Sequence, residues 1–397
     1  MLKILAVIPS GSVYGLQNVT LDLMRSLPKK EMDCHFLITR WTDGELVRRL
    51  DELKIPYTYS WIGMFSRKLD WDNLRMTVQC VLKLPKLYRD FLVLVKSYKP
   101  NIIYTANNHE LILLAPVLRA IKIPVLNHMH DPPPSIPFQR WIFNFWDRPI
   151  NRYVTVSSNV QSRLVELGAR SDKISLLENG VDLSLFPYQA KRSDHFVKRY
   201  DWPPGSVILG MTSQMIEEKG HLDLIEAVGL LRKNYPHIRL VIGGRKEGQY
   251  YQKLVSELAN KGMLDIVVFS GWLKEVRHFF SSIDIFVLPS RHEEGFGLVV
   301  AQAMAVGLPV VATRSGGVSE VIENEVTGFL LEKRSPSGLA SAISHLVKLP
   351  QLRQSMGMAG RRRIEKQFDL SRQAARFKTV LETLANSVNL TLDRIHV

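Results

Sequence analysis

Short apolar segments rich in Val, Ile and Leu alternate with longer segments of helical spacing along most of the chain. In the first half the apolar segments read KILAVI, CHFLIT, NIIYTA, PVLNHM and YVTVS; in the second half they read VILGMT, IRLVIGG, IVVFSG, IDIFVLP and PVVAT. Residues 222–231 and 250–258 are two of the helical segments between them. Such alternation is typical of parallel sheets that carry helices on both faces. The pattern therefore predicts an α/β chain with two Rossmann-like, doubly wound sheets.

A polar segment separates the two sets of predicted strands. Residues 186–205 read FPYQAKRSDHFVKRYDWPPG and end in a Pro-Pro-Gly sequence that interrupts regular structure. We therefore predict an N-terminal domain over residues 1–186 and a C-terminal domain over residues 187–370. Residues 371–397 are predicted to form a last helix that packs back on the N-terminal domain, with its apolar positions at Ala375, Thr379, Leu381 and Leu384.

The composition predicts a globular protein, because 46% of the 397 residues are hydrophobic and 23% are charged. No apolar run approaches the roughly 18 residues that would suggest a membrane span. The opening MLKILAVIPSG has an apolar stretch too short for a signal peptide and fits a first buried strand. Because two cysteines, Cys34 and Cys80, do not make a disulfide framework, we expect a reducing, cytoplasmic location.

The formal net charge of +14 permits binding to nucleic acid, to an anionic membrane surface or to an acidic substrate. No recognition motif for nucleic acid accompanies the charge, so specific nucleic-acid binding is not expected. Residues 79–99 contain one acidic residue, Asp90, and five basic residues: Lys83, Lys86, Arg89, Lys96 and Lys99. The segment fits an amphipathic helix on anionic lipid or a core helix with a solvated basic face. Pro85 predicts that the helix is broken or begins near that residue.

Loops that follow strands bind ligands in doubly wound sheets, so each such loop is a candidate site. After the first strand, Gly11 and Gly15 flank a turn into a helix; they fit either a phosphate loop or plain turn glycines, without the full dinucleotide spacing. After PVLNHM, His128 and His130 are two residues apart and share one face of a strand. Together with Asp131 they lack a third ligand of matching spacing, so a polar substrate or a structural role is favoured over a metal.

Two loops in the second half carry the strongest chemistry. In VILGMTSQMIEEKGHLDLIEA, Lys219 precedes a helix entry, where its charge and the helix dipole favour a diphosphate. The stretch RHEEGFGLVVAQAMAVG places Gly295 and Gly297 before a helix, which frees backbone amides for the oxygens of a phosphate or a sugar. Glu294 stands in front of these amides as an acceptor for hydroxyls. A nucleotide sugar offers both kinds of group.

Taken together, these motifs resemble the glycosyltransferase group 1 family, the retaining, nucleotide-sugar-dependent enzymes of GT-B fold. The resemblance is carried by residues 289–331, which begin PSRHEEGFG, by residues 153–186, which contain an Asn-Gly-Val-Asp turn, and by residues 210–227. It covers residues 1–370 and is strongest from about residue 153. The family fold implies two Rossmann-like domains that face each other across a cleft.

The resemblance also implies roles for particular positions. Lys219 meets the donor diphosphate, and Glu294, the first acid of the family's E-x7-E pattern, binds donor sugar hydroxyls near the reacting centre. His130 aligns with the histidine that lines the donor sugar, and His128 aligns less well. The backbone of Gly15 is implied to approach the diphosphate, and the loop 271–273, with Leu273, is implied to face the base. The amides of Phe296, Gly297 and Leu298, at a helix start, are implied to hold phosphate and sugar.

Two positions depart from the family pattern. Gln302 stands where a second glutamate usually takes the ribose hydroxyls, and Gln214 replaces the arginine that usually lies five residues before the phosphate lysine. An amide loses charge-assisted strength, roughly a factor of two per hydrogen bond, and the missing arginine removes a fixed positive fork. Weaker donor binding or an altered donor preference is favoured over inactivity, because Lys219 and Glu294 remain. The alternative functions are a non-catalytic binding homologue and a nucleotide-sugar epimerase.

The reaction implied is transfer of a hexosyl unit from a nucleoside diphosphate sugar to a hydroxyl, with retention of configuration and without a required metal or other cofactor. The leaving phosphate takes the acceptor proton, so no protein base is assigned. The basic segment favours a lipid-linked acceptor or a growing cell-surface polysaccharide, such as lipopolysaccharide, and a position on the inner face of the membrane.

Overall fold

The structure, a computed structural model, describes residues 1–9, 13, 15–40, 43–63, 71–106, 108–133 and 139–393. Gly11 lies outside the described residues, as do the side chains of residues 72–73, 139, 142 and 388–393. The chain forms two compact units, of which the first comprises Met1–Gly180 and Leu370–Val397 and the second comprises Val181–Asp369. The chain thus passes between the units before the predicted boundary at residue 186.

Within its described residues, the first unit is built on a seven-stranded parallel sheet with the strand order β3-β2-β1-β4-β5-β6-β7. The strands are β1 (Leu2–Ile8), β2 (Met32–Thr39), β3 (Tyr57–Ser60), β4 (Ile102–Thr105), β5 (Val125–Met129), β6 (Arg152–Thr155) and β7 (Ile174–Leu176). The helices between them are α1 (Gly15–Ser26), α2 (Glu45–Leu53), α3 (Trp71–Tyr98), α4 (Asn108–Ala120), α5 (Gln139–Asp147) and α6 (Ser158–Leu167). The direction of winding reverses between β1 and β4.

The second unit, described throughout residues 181–369, has a six-stranded parallel sheet with the order β10-β9-β8-β11-β12-β13. Its strands are β8 (Val207–Thr212), β9 (Ile238–Gly243), β10 (Val267–Gly271), β11 (Ile285–Leu288), β12 (Val310–Thr313) and β13 (Gly328–Leu331). Its helices are α7 (His195–Arg199), α8 (His221–Leu231), α9 (Gly248–Asn260), α10 (Val276–Phe280), α11 (Leu298–Ala305), α12 (Val318–Val321), α13 (Pro336–Lys348) and α14 (Pro350–Gln367). Here the winding reverses between β8 and β11.

Both sheets confirm the predicted α/β, doubly wound architecture. Each apolar segment quoted above coincides with a strand, and the central strands are buried along their length, as in β4 and β11. A strand covered by helices on both faces is mostly apolar, without polar residues at alternate positions, which explains why these segments are nearly continuous rather than alternating. The parallel arrangement places the loops after neighbouring strands at one edge of each sheet.

The last helix, α15 (Leu370–Asp393), belongs to the first unit, where it contacts α1. Its buried apolar positions are three or four residues apart: Leu370, Ala374, Phe377, Leu381 and Leu384. The predicted face was wrong at Ala375 and Thr379, which are exposed. Phe377, the largest apolar residue in this stripe, is fully buried, and the helix is turned so that this ring faces the core.

Helix α3 corrects a second prediction, because it runs without interruption through Pro85. Proline removes the hydrogen bond to the carbonyl four residues earlier, here that of Val81. Both Pro85 and Val81 are exposed, so water can bind this carbonyl. Buried Cys80, Leu87 and Phe91 hold the helix against the unit on both sides of the proline. Among the described residues, no helix is long and apolar enough to span a membrane.

Two glycines of α14 give a test of how this helix supports α11. A Cβ on Gly357 would overlap the carbonyl oxygen of Gly307, at the end of α11, whereas a Cβ on Gly360 would make ordinary contacts with Met304. We expect Gly357→Ala to lower the free energy of unfolding by about 1–3 kcal/mol through overpacking. The matched control, Gly360→Ala, should be neutral or stabilising by up to about 1 kcal/mol. Urea unfolding checks both, and equal effects would contradict this packing.

Candidate active site

Three loops meet at one edge of the second unit's sheet. Strand β11 pairs in parallel with β8 on one side and with β12 on the other, so their carboxyl ends lie together. The winding reverses between β8 and β11, and doubly wound sheets bind their ligands at such a reversal. We define the candidate active site as the loops after these strands, residues 213–220, 289–297 and 314–317.

Gly220 allows the first two loops to approach each other. It has a φ of 75°, and a Cβ at this position would overlap the carbonyl oxygen of Pro289. Glycine alone adopts this backbone conformation easily and leaves this space free. The arrangement brings the residue before Gly220 in the chain, Lys219, against the loop after β11.

Arg291 then locks the two loops together. Its guanidinium donates to both carboxylate oxygens of Asp223, at 2.6 and 2.8 Å. Its backbone N–H donates to the carbonyl of Glu218 at 2.7 Å. Bidentate pairing of arginine with a carboxylate fixes geometry as well as contributing energy. The loop that carries Glu294 is therefore held rigidly against the loop that carries Lys219.

Lys219 and Glu294 form an ion pair at this edge. The Nζ of Lys219 donates to both carboxylate oxygens of Glu294, at 2.8 and 2.9 Å. The hydroxyl of Ser290 donates to the same carboxylate. The exposed fractions of the two charged side chains are only 17% for Lys219 and 13% for Glu294. The structure thus joins the residue predicted to meet the diphosphate to the residue predicted to meet the sugar hydroxyls.

The surroundings of Glu294 keep its carboxylate charged. Burial opposes ionisation, but the positive charge and hydrogen bonds of Lys219, with the hydroxyl of Ser290, outweigh it. The pKa of Glu294 is therefore held below its ordinary value. At neutral pH the group is an acceptor with several lone pairs, suited to hydroxyl or ammonium donors.

Helix α11 begins at Leu298, shortly after Glu294 in the chain. Gly297, at its N-cap, has a φ of 88°, and a Cβ there would come within 2.6 Å of the Val318 side chain. In the described part of the chain, the backbone amides of Phe296, Gly297 and Leu298 donate to no protein acceptor. Unpaired amides at the start of a helix, aligned with its dipole, favour an anion. A cation thus contacts the Glu294 carboxylate, and a set of unpaired amide donors begins two residues later in the chain.

The loop after β12 supports this arrangement. The N–H of Gly317 donates to the carbonyl of Glu294 at 2.9 Å, and a Cβ on Gly317 would overlap the carbonyl oxygen of Gly295. Sequence reasoning missed this loop, together with Ser290 and Arg291. The available signal was the second glycine pair, in RSGGVS, directly after a buried strand.

Three other residues of the second unit were predicted to bind the donor. Gln214 is exposed and lies in the same loop as Lys219. Gln302 is half-buried on α11, more than one helical turn after its start. Leu273 follows β10, two strands away from β8, and packs so closely on Gly243 that a Cβ there would lie 2.7 Å from it. Their roles toward a donor remain predictions.

In the first unit, His128 lies in β5 and His130 directly follows it, both buried on one face. Burial, with a smaller effect from neighbouring His130, holds the pKa of His128 well below its ordinary value. Burial alone lowers the pKa of His130 to about 3. Both rings are therefore neutral in ordinary buffers. Within the described residues, no three His, Cys, Asp or Glu side chains are grouped so that they could hold a metal ion.

Gly15, the remaining predicted residue, is the first residue of α1 and is exposed. A Cβ at this position would meet no described atom within 4 Å, so packing does not require glycine here. The predicted approach of its backbone to a diphosphate stays a prediction.

Family models match both halves of the chain. The model described as "Glycosyl transferases group 1" matches residues 193–363, which contain all three loops of the candidate active site. The model described as "Glycosyltransferase Family 4" matches residues 13–185, which contain Gly15 and His130. Together the two models account for most of both compact units.

Individual proteins are similar over most of the chain. Glycogen synthase of Mycobacterium tuberculosis (strain CDC 1551 / Oshkosh) is 26% identical over 74% of this chain and 70% of its own length. The GDP-mannose-dependent alpha-(1-6)-phosphatidylinositol monomannoside mannosyltransferase of Mycolicibacterium smegmatis (strain ATCC 700084 / mc(2)155) is 28% identical over 80% of this chain and 86% of its own length. The crystal structure of Anabaena Alr3699/HepE in complex with UDP and glucose matches with a TM-score of 0.81, covering 96% of this chain and 100% of that chain. At 20% identity, this last likeness shows a shared fold.

The ion pair predicts a pH-dependent contribution of Glu294 to stability. Because its pKa is lower in the folded than in the unfolded chain, this contribution is complete above roughly pH 4.3, the ordinary glutamate pKa, and is lost as the pH falls through the folded value. At pH 7, Glu294→Gln should lower the free energy of unfolding by about 3 kcal/mol, since it leaves Lys219 charged and unpaired. The difference should shrink at acid pH.

The matched control for this measurement is Glu293→Gln. Glu293 pairs with Lys333, and half of the Glu293 side chain is exposed. An exposed pair contributes under about 1 kcal/mol. Urea unfolding of the three proteins at neutral and acid pH decides the matter, and a Glu294→Gln effect that is no larger than that of Glu293→Gln would refute the assignment.

Proposed function

The chain belongs to the glycosyltransferase group 1 family and is a glycosyltransferase of GT-B fold, and from this premise we propose the reaction that it catalyses. It moves a hexosyl unit from a nucleoside diphosphate sugar to a hydroxyl of a glycan or lipid-linked acceptor, with retention of the anomeric configuration. The observation that carries the proposal is the ion pair of Lys219 and Glu294, on the loop that leads directly into the unpaired amides at the start of α11.

The chemistry requires stabilisation of a leaving group. When the bond between the anomeric carbon and the diphosphate oxygen breaks, negative charge develops on the diphosphate and positive charge on the sugar ring. The ammonium of Lys219 and the amides of Phe296, Gly297 and Leu298 are fixed donors for the first charge. Arg291 holds the loops that carry them, so the backbones of these loops need not move during the reaction. We propose that this positive charge suffices without a metal.

Donor binding would exchange the partners of the ion pair. Phosphate oxygens replace the carboxylate at Lys219, and sugar hydroxyls donate to the Glu294 carboxylate. Each buried charge then keeps a partner, which matters because a buried charge left alone is strongly destabilising. A ligand with only a phosphate or only hydroxyls satisfies one member of the pair. The site should therefore discriminate in favour of molecules that carry both groups.

His130 supplies a second contact to the donor sugar in this proposal. Among the described residues, the Nε2 of its buried ring has no hydrogen-bond partner. A neutral imidazole can donate to or accept from a hydroxyl.

The amides Gln214 and Gln302 replace charged residues of the family pattern, so we propose a donor preference or affinity that differs from that of family members with both charges.

The surface of α3 supports a lipid-linked acceptor and a peripheral position on the inner face of a membrane. The first half of the helix exposes apolar side chains at helical spacing: Trp71, Leu74, Val78, Val81 and Leu82. The side chains of Trp71 and Leu82 are the most exposed of these, at 84% and 74%. Basic side chains are interleaved with them or follow them: Arg75, Lys83, Lys86, Arg89 and Lys96. Helix α3 contacts α4, which contacts α5, where Trp141 and Phe145 are also exposed. Aromatic, aliphatic and basic groups together fit an anionic lipid surface.

The transfer reaction is tested most simply at Lys219. Lys219→Met removes the cation that faces the leaving diphosphate, and it should lower kcat/KM about 10²- to 10³-fold. The assay screens UDP-, GDP- and ADP-sugars with glycan and lipid-linked acceptors, and the product's anomeric configuration is read by NMR. Chelation of metals with EDTA should leave the wild-type rate unchanged.

The matched control is Lys333→Met, which breaks the neighbouring ion pair with Glu293. It should retain wild-type transfer. Equal losses in both variants would contradict the role of Lys219. Donor binding without turnover by any acceptor would instead indicate a binding homologue, and conversion of the donor without an acceptor would indicate an epimerase.

Membrane attachment is tested by neutralising three lysines of α3. The triple variant Lys83→Gln, Lys86→Gln, Lys96→Gln should bind vesicles of phosphatidylcholine and phosphatidylglycerol about 100-fold more weakly, at roughly 1 kcal/mol per basic residue near the surface. The control neutralises three exposed lysines of the second unit, Lys233, Lys253 and Lys261. Sedimentation with vesicles measures both, and unaltered binding of the α3 variant would remove the proposal.

A further inference from the structure

Two buried histidines lie side by side in the first unit, and the proposed reaction uses only one of them. The ring centroids of His128 and His130 are 4.1 Å apart, with their planes tilted by 38°. His128 is completely buried, and His130 is nearly so. His128 is the deeper of the two rings, and the donor contact is proposed for His130 alone, so the presence of His128 needs a separate explanation.

The ring of His128 is fixed by contacts from several elements. Its Nδ1 lies 2.9 Å from the hydroxyl of Tyr104, which in turn lies 3.3 Å from the hydroxyl of Thr20 on α1. The ring of Phe377, from α15, stacks on it at a centroid distance of 6.3 Å and an interplanar angle of 26°. Tyr104 also meets Phe377 edge to face. The ring of His128 thus has little freedom to turn.

The register of the sheet explains why these groups share one face. Tyr104 of β4 pairs with Leu126 of β5, so their side chains point the same way. Alternation along β5 then places His128 on that face, and His130 next to it at the strand's carboxyl end. Tyr104, His128 and His130 therefore follow one another along this face, and the last of them carries the Nε2 that is proposed to contact the sugar.

The chemistry of the pair argues against a purely space-filling role. Within the described residues, the Nε2 atoms of both His128 and His130 are buried without a hydrogen-bond partner. A buried polar atom of this kind destabilises the fold, and a phenylalanine would fill the same position without that cost. An imidazole at position 128 is useful because its Nδ1 can be bound by Tyr104. That bond orients the ring, whereas a phenyl ring could not be fixed in this way.

We propose that His128 is a positioning residue, whose ring, tied to Tyr104, forms the fixed surface against which His130 stacks and so sets the direction of the His130 Nε2 toward the donor sugar. The terminal torsion of a histidine ring is broad when nothing restrains it, so His130 depends on its neighbour for orientation. This inference rests on the proposed function, in which His130 binds the donor.

The test removes one hydroxyl and leaves the ring packing intact. Tyr104→Phe should lower kcat/KM for transfer about 10-fold, since a misplaced contact group costs rate, while the Kd for the nucleoside diphosphate stays unchanged. In a His130→Ala background the same change should have no further effect. The matched control is Tyr153→Phe, because Tyr153 is equally buried in the same sheet but its hydroxyl donates to Asp147.

Equal losses from Tyr104→Phe in both backgrounds, or no loss in either, would overturn the inference. A second measurement does not require activity: NMR of ring-labelled histidine, with His130 assigned by His130→Gln. The His130 signals should shift in Tyr104→Phe and stay fixed in Tyr153→Phe. Unchanged His130 signals in Tyr104→Phe would reject positioning even if the protein transfers sugar. Shifted signals in a protein that transfers no sugar would retain positioning and reject the proposed function.

Discussion

The ion pair between Lys219 and Glu294 is the interaction on which the candidate active site depends. Two opposite charges are held at the reversal point of a doubly wound sheet, almost out of water, and the hydroxyl of Ser290 donates a third hydrogen bond to Glu294. Each charge makes the burial of the other tolerable, and each is the complement of one part of a nucleotide sugar. Because Gly220 and Gly297 have no side chain, the loops that carry the pair and the start of α11 can make these close contacts.

Much of the fold was predictable because the central strands are covered on both faces and are therefore mostly apolar. The strands that the sequence did not reveal are β3, β7 and β13, all of which lie at sheet edges and are short and only partly buried. Partial burial weakens the apolar signal, and Tyr-Thr-Tyr-Ser in β3 is an example. The course of α3 through Pro85 was missed because the burial of Leu87 and Phe91 and the contacts of the helix with β3 and α4, which hold it, are not visible in the local sequence.

The candidate site was predictable in its residue types but not in its contacts. Lys219 and Glu294 were identified one by one, yet they are 75 residues apart, and nothing local indicates that they bind each other. The same holds for the bond from Arg291 to Asp223, across 68 residues. Tertiary packing alone places Phe377 on the ring of His128. Sequence patterns identify such groups, and only the fold shows which of them act together.

The most direct test of this account is calorimetric titration of wild-type protein and Glu294→Gln with nucleoside diphosphates and the matching nucleotide sugars. If the pair must open for a donor, Glu294→Gln frees Lys219; it should bind the diphosphate more tightly than wild type and lose the additional affinity that the sugar provides. Diphosphate binding that is unchanged or weaker in Glu294→Gln, with the contribution of the sugar preserved, would contradict the exchange of partners at the centre of the account.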